Sequence, residues 1–209
     1  MELSISIDNP MLQTNRKLNQ LFLAAVFLVL VETLSNPKVE AKPINNLQQL
    51  PTSSVIAATP AWQEFSSSEG KFSVLFPNGK VEEISQPENS NSSGIKSLKM
   101  HGVTGDKNAF IVGYADFSID VSQVAPGELI DAFLEGMLQN ESKLLSQKNI
   151  QFEEYPGKEI KVKDEKNGTI YNSRFFLVGQ KIYFMMVGSI ETPEVSDTQK
   201  FFNSFQLIK

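Results

Sequence analysis

Residues 109–117 and 181–188 carry apolar side chains on both faces of an extended chain. In the first, Phe110, Val112 and Tyr114 fall on one face and Ile111, Ala115 and Phe117 on the other. In the second, Ile182, Phe184 and Met186 oppose Tyr183, Met185 and Val187. Successive side chains on a strand point to opposite sides, so such segments have no face to give to water. An antiparallel sheet with one wet face alternates cleanly, whereas strands covered on both sides do not. Both segments therefore belong in the middle of a sheet with cover above and below. Residues 158–164 alternate Ile160 and Val162 with Lys161 and Lys163, the pattern of a lysine-protected edge.

The cover comes from two helical patterns. Residues 126–145 place Leu129, Ile130, Phe133, Leu134, Met137, Leu138, Leu144 and Leu145 at helical spacing, opposite Glu128, Asp131, Glu135, Gln139 and Lys143. Pro126 suits a first helical position. A final helix starts at Thr192-Pro193 or at the capping box Ser196-x-x-Gln199, buries Phe201, Phe202 and Phe205, and ends in Leu207-Ile208. Residues 71–76 form a strand whose Asn78-Gly79 predicts a tight hairpin returning through 81–85. Further strands are expected over 95–103 and over 169–178, the latter turning at Gly179-Gln180 into the second double-faced strand. The fold class is α+β: an α/β/α sandwich with a mainly antiparallel sheet of about six or seven strands.

Ahead of this unit, residues 21–31 are eleven consecutive apolar residues preceded by Arg16-Lys17 and stopped by Glu32. Val39-Glu40-Ala41 follows as a small-residue cleavage site. A basic start, a short apolar core and such a site predict a secretory signal peptide over 1–41. The apolar run is short of the ~20 residues that span a bilayer. No cysteine follows it, which excludes a lipoprotein anchor. Residues 42–61 are rich in Asn, Gln, Ser, Thr and Pro and read as a flexible linker, leaving 62–209 as one domain.

Without residues 1–41 the chain keeps a net charge of −4, from 16 basic and 20 acidic residues. That balance argues against nucleic acid, which is held by basic patches, and offers no polybasic surface for anionic lipid. Arg174 is the single arginine of this portion, one candidate for bidentate anion recognition without a cluster around it. Cysteine is absent. Thiol catalysis, disulfides and cysteine-rich zinc sites are excluded with it, and stability must come from an apolar core.

No constellation for catalysis, cofactor or metal emerges. His101 is the only histidine. Asp116 and Asp120 are spaced to share a hard cation, but no loop carries a calcium-binding pattern. The pairs Glu82-Glu83, Glu153-Glu154 and Asp164-Glu165 are adjacent, and on strands they diverge. Gly102-x-x-Gly105 is too sparse to cradle phosphate and reads as turns. Asn91-Ser-Ser, Asn140-Glu-Ser and Asn167-Gly-Thr fit the glycosylation triplet. A hydrolase would require Asp116, Asp120 and His101 to converge.

Three segments in order resemble the PsbP-like proteins, extrinsic lumenal proteins associated with photosystem II. They are Ser68-Glu69-Gly70-Lys71-Phe72 running into Phe76-Pro77-Asn78-Gly79, the strand start Lys181-Ile182-Tyr183, and the closing Phe201-Phe202-Asn203-Ser204-Phe205. The resemblance covers 62–209. It departs at Lys80, where the family commonly has Trp, and the opening segment is equally similar to a broader set of exported, often cyanobacterial, domains. The resemblance implies the α/β/α sandwich that PsbP shares with a nuclear import factor binding the Ran GTPase. It further implies export to a thylakoid lumen or periplasm and a non-enzymatic role docking on a membrane complex, such as photosystem II, to assist assembly or stability. It assigns no metal-binding residue. The alternative is an extracytoplasmic module for a small ligand or envelope component, which an apolar pocket between helix 126–145 and the sheet would favour. The expected partners are a membrane complex, with peripheral membrane association, and no nucleic acid, with the chain itself a monomer. Docking is expected on a sheet edge or on the loops 88–94 and 102–108.

Overall fold

The structure is a computed structural model that describes residues 62–84, 95–137, 142–191 and 195–209. Ten strands and two helices are described. The strands are β1 (Trp62–Ser67), β2 (Phe72–Pro77), β3 (Glu82–Ile84), β4 (Ile95–Thr104), β5 (Asn108–Phe117), β6 (Ser142–Phe152), β7 (Tyr155–Asp164), β8 (Ile170–Val178), β9 (Lys181–Ser189) and β10 (Gln206–Leu207). The helices are α1 (Pro126–Met137) and α2 (Val195–Asn203). Seven strands form one sheet in the order β3-β4-β5-β9-β8-β7-β6, and β1-β2-β10 form a second. Every pairing is antiparallel. The α+β class holds.

The double-faced strands lie side by side at the centre of the large sheet, β5 against β9. Their two faces feed two separate cores. On one, Ile111, Ala115, Ile182, Phe184 and Met186 pack with Ile130, Phe133 and Leu134 of α1. On the other, Phe110, Val112, Tyr114, Tyr183, Met185 and Val187 meet Phe72, Val74 and Phe76 of β2 and Phe201, Phe202 and Phe205 from α2 and its exit. The second layer is thus shared between a helix and a small sheet. The Tyr183 hydroxyl donates to the Gly70 carbonyl at 2.8 Å, fixing the β1–β2 turn on the large sheet. Gly113 is required where it stands. A Cβ there would come within 2.5 Å of the Phe184 ring and 2.6 Å of the Lys99 carbonyl oxygen.

Four expectations change. The helix expected over 126–145 does not reach 145: it is described over Pro126–Met137, and Leu144 and Leu145 lie on β6, both exposed. Pairing along β7 offers residues 142–152 a full ladder that a longer helix would forfeit. Residues 158–164 are not an edge, because β6 covers β7 and becomes the edge itself. Of the β7 lysines, Lys158 pairs with Asp131 of α1, while Glu159 of the same strand accepts from Lys148 on β6 and Arg174 on β8. The Asn78-Gly79 hairpin does not form. Neither residue takes a positive φ, and the chain crosses from β2 to β3, which pairs with β4 in the other sheet. Leu207 belongs to β10, which takes the edge of β2 left open by that crossing. The Gly179-Gln180 turn is as expected, with Gly179 at φ +59° and Val178 opposite Lys181.

The signal segment, the linker and the loop 88–94 lie outside the described residues. Among the described residues no helix is long and apolar enough to cross a membrane.

Candidate functional site

On the α2 side, the large sheet extends beyond its helix. The outer strands β6, β7 and β8 form a wing, and α2 lies against its root. Strand register decides which side chains face α2. Glu159 stands opposite Arg174, Lys148 opposite Glu159, and Ser146 opposite Lys161. Partners in register share a face, so all of these, with Asn172, look toward the helix.

Arg174 joins the layers. Its Nε donates to Glu159 Oε2 at 2.7 Å, one terminal nitrogen to Gln199 Oε1 and the other to Asn203 Oδ1, each at 3.2 Å. Its guanidinium carbon lies 4.9 Å from the centre of the Phe202 ring. Gln199, Phe202 and Asn203 recur at helical spacing, which aims all three at the wing. Lys148 Nζ reaches the other Glu159 oxygen at 2.7 Å. Burial pushes the Glu159 carboxyl up, but the hydrogen bonds and charges of Lys148 and Arg174 outweigh it and hold it below the ordinary glutamate value.

Two concavities flank this bridge. One, of about 230 Å³, is lined by Ser146, Lys148, Lys161, Asn172, Thr198 and Gln199 among others. The second, of about 330 Å³, opens between Ile150, Phe152, Arg174, Phe176, Phe202 and Phe205. Both lie on the α2 face of the sheet, not between the sheet and α1, where a pocket would favour a small-ligand module.

The residues singled out in the sequence do not gather. His101 lies on β4, opposite Glu83 and Val112, with its ring 4.7 Å from that of Phe65. Burial lowers its pKa, with Glu83 acting the other way and Lys99 in the same sense. Asp116 is four residues beyond Val112 on β5, about 13 Å away along a strand. It accepts from Ser97 at 2.9 Å and pairs with Lys181. Asp120 accepts from the Ser122 amide and from Gln180, hydrogen bonds that lower its pKa. The two aspartates flank one turn without His101. Among the described residues no group of three His, Cys, Asp or Glu side chains is placed to hold a metal. Glu82 pairs with Lys80, Glu153 sits in the β6–β7 turn at φ 51°, and Asp164 is buried. Gly102 lies inside β4 rather than in a turn, while Gly105 does turn, its amide donating to the Asn108 carbonyl. Of the glycosylation triplets, only Asn167-Gly168-Thr169 lies wholly among the described residues, in the β7–β8 turn.

Sequence reading found Arg174 but not its partners. Glu159 was hidden among lysines, and its significance depends on a register that only the folded ladder defines.

No family model matches this chain, and no curated protein matches it. Among solved structures, it is similar to cyanobacterial PsbP from Synechocystis sp. PCC 6803, at 11% identity and a TM-score of 0.47, over 74% of this chain and 97% of that one. It is also similar to PA94 of Pseudomonas aeruginosa, titled a putative regulator of unknown function, at 12% identity and a TM-score of 0.38, over 66% and 86% of the two chains. A third is a Bacteroides thetaiotaomicron protein, at 13% identity and a TM-score of 0.35, over 70% and 48%. These are likenesses of fold.

Proposed function

We propose that this chain is an exported, non-enzymatic accessory protein of PsbP-like type that docks on a membrane complex of the thylakoid lumen or periplasm and assists its assembly or stability. Export rests on the apolar segment 21–31 and the site at Ala41. Docking rests on one observation, the open edge of β6. This strand runs eleven residues, pairs among the described residues with β7 alone, and is exposed along most of its length. An edge of that length offers a row of free backbone donors and acceptors to an incoming strand. At its start a register shift between Leu144 and Ser146 leaves Leu144 and Leu145 exposed at 44% and 43%.

The occupant is an extended segment of a membrane-complex subunit that carries carboxylates. Lys143 and Lys163 stand directly opposite each other beside the leucines. Like charges so placed destabilise a sheet, and an acidic strand relieves them. The test places a photo-crosslinking residue at Leu145 or, on the far edge of the sheet, at Glu82, in the full chain in its native host. Adducts with a membrane-complex subunit from position 145 and not from 82 support the reading. Equal adducts from both, or a chain recovered only in the soluble fraction, overturn it. The second reading, a small-ligand module, is favoured by the concavities beside Arg174.

A further inference from the structure

We propose that the smaller concavity is a binding site for a small dianion whose charge is carried on carboxylate or phosphate oxygens. The inference is independent of what docks on the β6 edge. It rests on an imbalance of charge inside a built cleft. Lys148 and Lys161 line it, Arg174 faces the same α2 side from the neighbouring concavity, and Glu159 is the one carboxylate of β6, β7 and β8 on that side. The other carboxylate of these strands, Asp164, is buried on the α1 face, five residues from Glu159 and so of opposite parity.

Glu159 is fully engaged. One oxygen takes Lys148 and the other Arg174, both at 2.7 Å. Lys161 lines the same cleft and has no ion-pair partner among the described residues. A partly buried lysine at the wall of a concavity, with the nearby carboxylate already committed to two other cations, leaves a site with an excess of positive charge. The opposite wall adds neutral donors. Thr198 is 6% exposed, lines the cleft, and its hydroxyl has no hydrogen-bond partner among the described residues. A buried hydroxyl without a partner is rare and calls for an explanation. Asn172 and Ser146 complete the rim. Thr198 also sits in the first turn of α2, whose backbone dipole favours negative charge.

Size and polarity set the ligand class. Sites for drug-sized molecules run to ~300–1,000 Å³ and are mainly apolar. At about 230 Å³, with three cations and several hydroxyl and amide donors in or beside it, this cleft suits a compact anion instead. Two negative charges match the excess: one meets Lys161, and the other shares Lys148 with Glu159, whose second oxygen is held by Arg174.

The test is calorimetric titration of the full chain with malonate in one arm and inorganic phosphate in the other, at low ionic strength. Saturable one-to-one binding in at least one arm is expected, and the arm that saturates identifies the oxyanion. Lys161→Gln should weaken it by about tenfold or more, the scale of a lost charged hydrogen bond. Lys161→Arg should retain it, and Lys80→Gln, at an exposed remote ion pair, should leave it unchanged. No saturation in either arm overturns the proposal. So does equal weakening by Lys80→Gln, which would mark diffuse charge attraction. The variants leave Leu144 and Leu145 untouched, so failure here and failure of docking at the edge are read separately.

Discussion

Arg174 Nε and Glu159 Oε2 meet at 2.7 Å across the β7–β8 ladder, and the same guanidinium reaches two side chains of α2. One residue thereby ties the outer wing of the large sheet to the helix that covers its centre. The pair is 18% and 20% exposed, sheltered over most of its surface. Arg174→Leu should lower unfolding free energy by roughly 1–3 kcal/mol, because Glu159 keeps its burial and loses a charged hydrogen bond. Urea denaturation monitored by circular dichroism measures it. A change indistinguishable from zero would mean that α2 is held by Phe201 and Phe202 alone.

Acid should undo the same bridge. The folded-state pKa of Glu159 lies below its ordinary value of 4.5. Its contribution to stability is therefore present above that value and is lost as pH falls through the folded pKa. Urea midpoints measured from pH 6 downward should decline below pH ~4.5, and Glu159→Gln should flatten that part of the curve. An unaltered profile in the variant would assign the acid loss to other carboxylates.

His101 acts in a higher window. Burial against Phe65 lowers its folded-state pKa from the ordinary 6.5. The unfolded chain then binds the proton more readily, so stability is complete above pH ~6.5 and declines as pH drops toward the folded pKa. His101→Gln should remove the component below neutrality, followed by the same urea series. Proton NMR of the single imidazole gives an independent check: a titration midpoint at or above 6.5 contradicts the burial argument.

Much of the fold was legible because its core is written in period-two patterns. Residues 109–117 and 181–188 could not tolerate water on either side, and they became β5 and β9. The stretch 126–145 misled because Leu144 and Leu145 continue a helical stripe in phase, and spacing alone does not distinguish a helix that continues from one that stops and yields to a strand. Asn78-Gly79 misled because turn chemistry is permissive: the dipeptide allows a hairpin, and the vacancy beside β2 went to β10 from the far end of the chain. The site was less legible still. Arg174 stood out by rarity, but Glu159, Lys148, Gln199 and Asn203 acquire meaning only when register and helix placement put them in one groove.

Gly113 carries the cost of burying a strand on both faces. Its missing side chain makes room for the Phe184 ring and for close approach of the Lys99 backbone. Gly113→Val inserts three carbons where one already collides, and neither the β4 backbone nor a stacked phenyl ring can yield cheaply. A loss of about 1–3 kcal/mol or more is expected in thermal or urea unfolding. A neutral outcome would show that β4 and β5 can separate, and that the sheet centre is looser than its register indicates.

The edge makes the opposite prediction. Leu144 and Leu145 lie where β6 has no outer neighbour among the described residues, each with more than two-fifths of its surface in water. Replacing both with aspartate removes little buried area, so stability should change by only ~0.5 kcal/mol per site. The substitutions also place negative charge beside Lys143 and Lys163, which satisfies those lysines within the chain and leaves nothing for an acidic strand to neutralise. Recovery of the double variant with washed native membranes should therefore fall to background while its urea midpoint stays put. Retained membrane recovery would remove the edge from the docking surface. A collapse in stability would instead mean that the leucines are structural, packed on the wing more firmly than their exposure indicates.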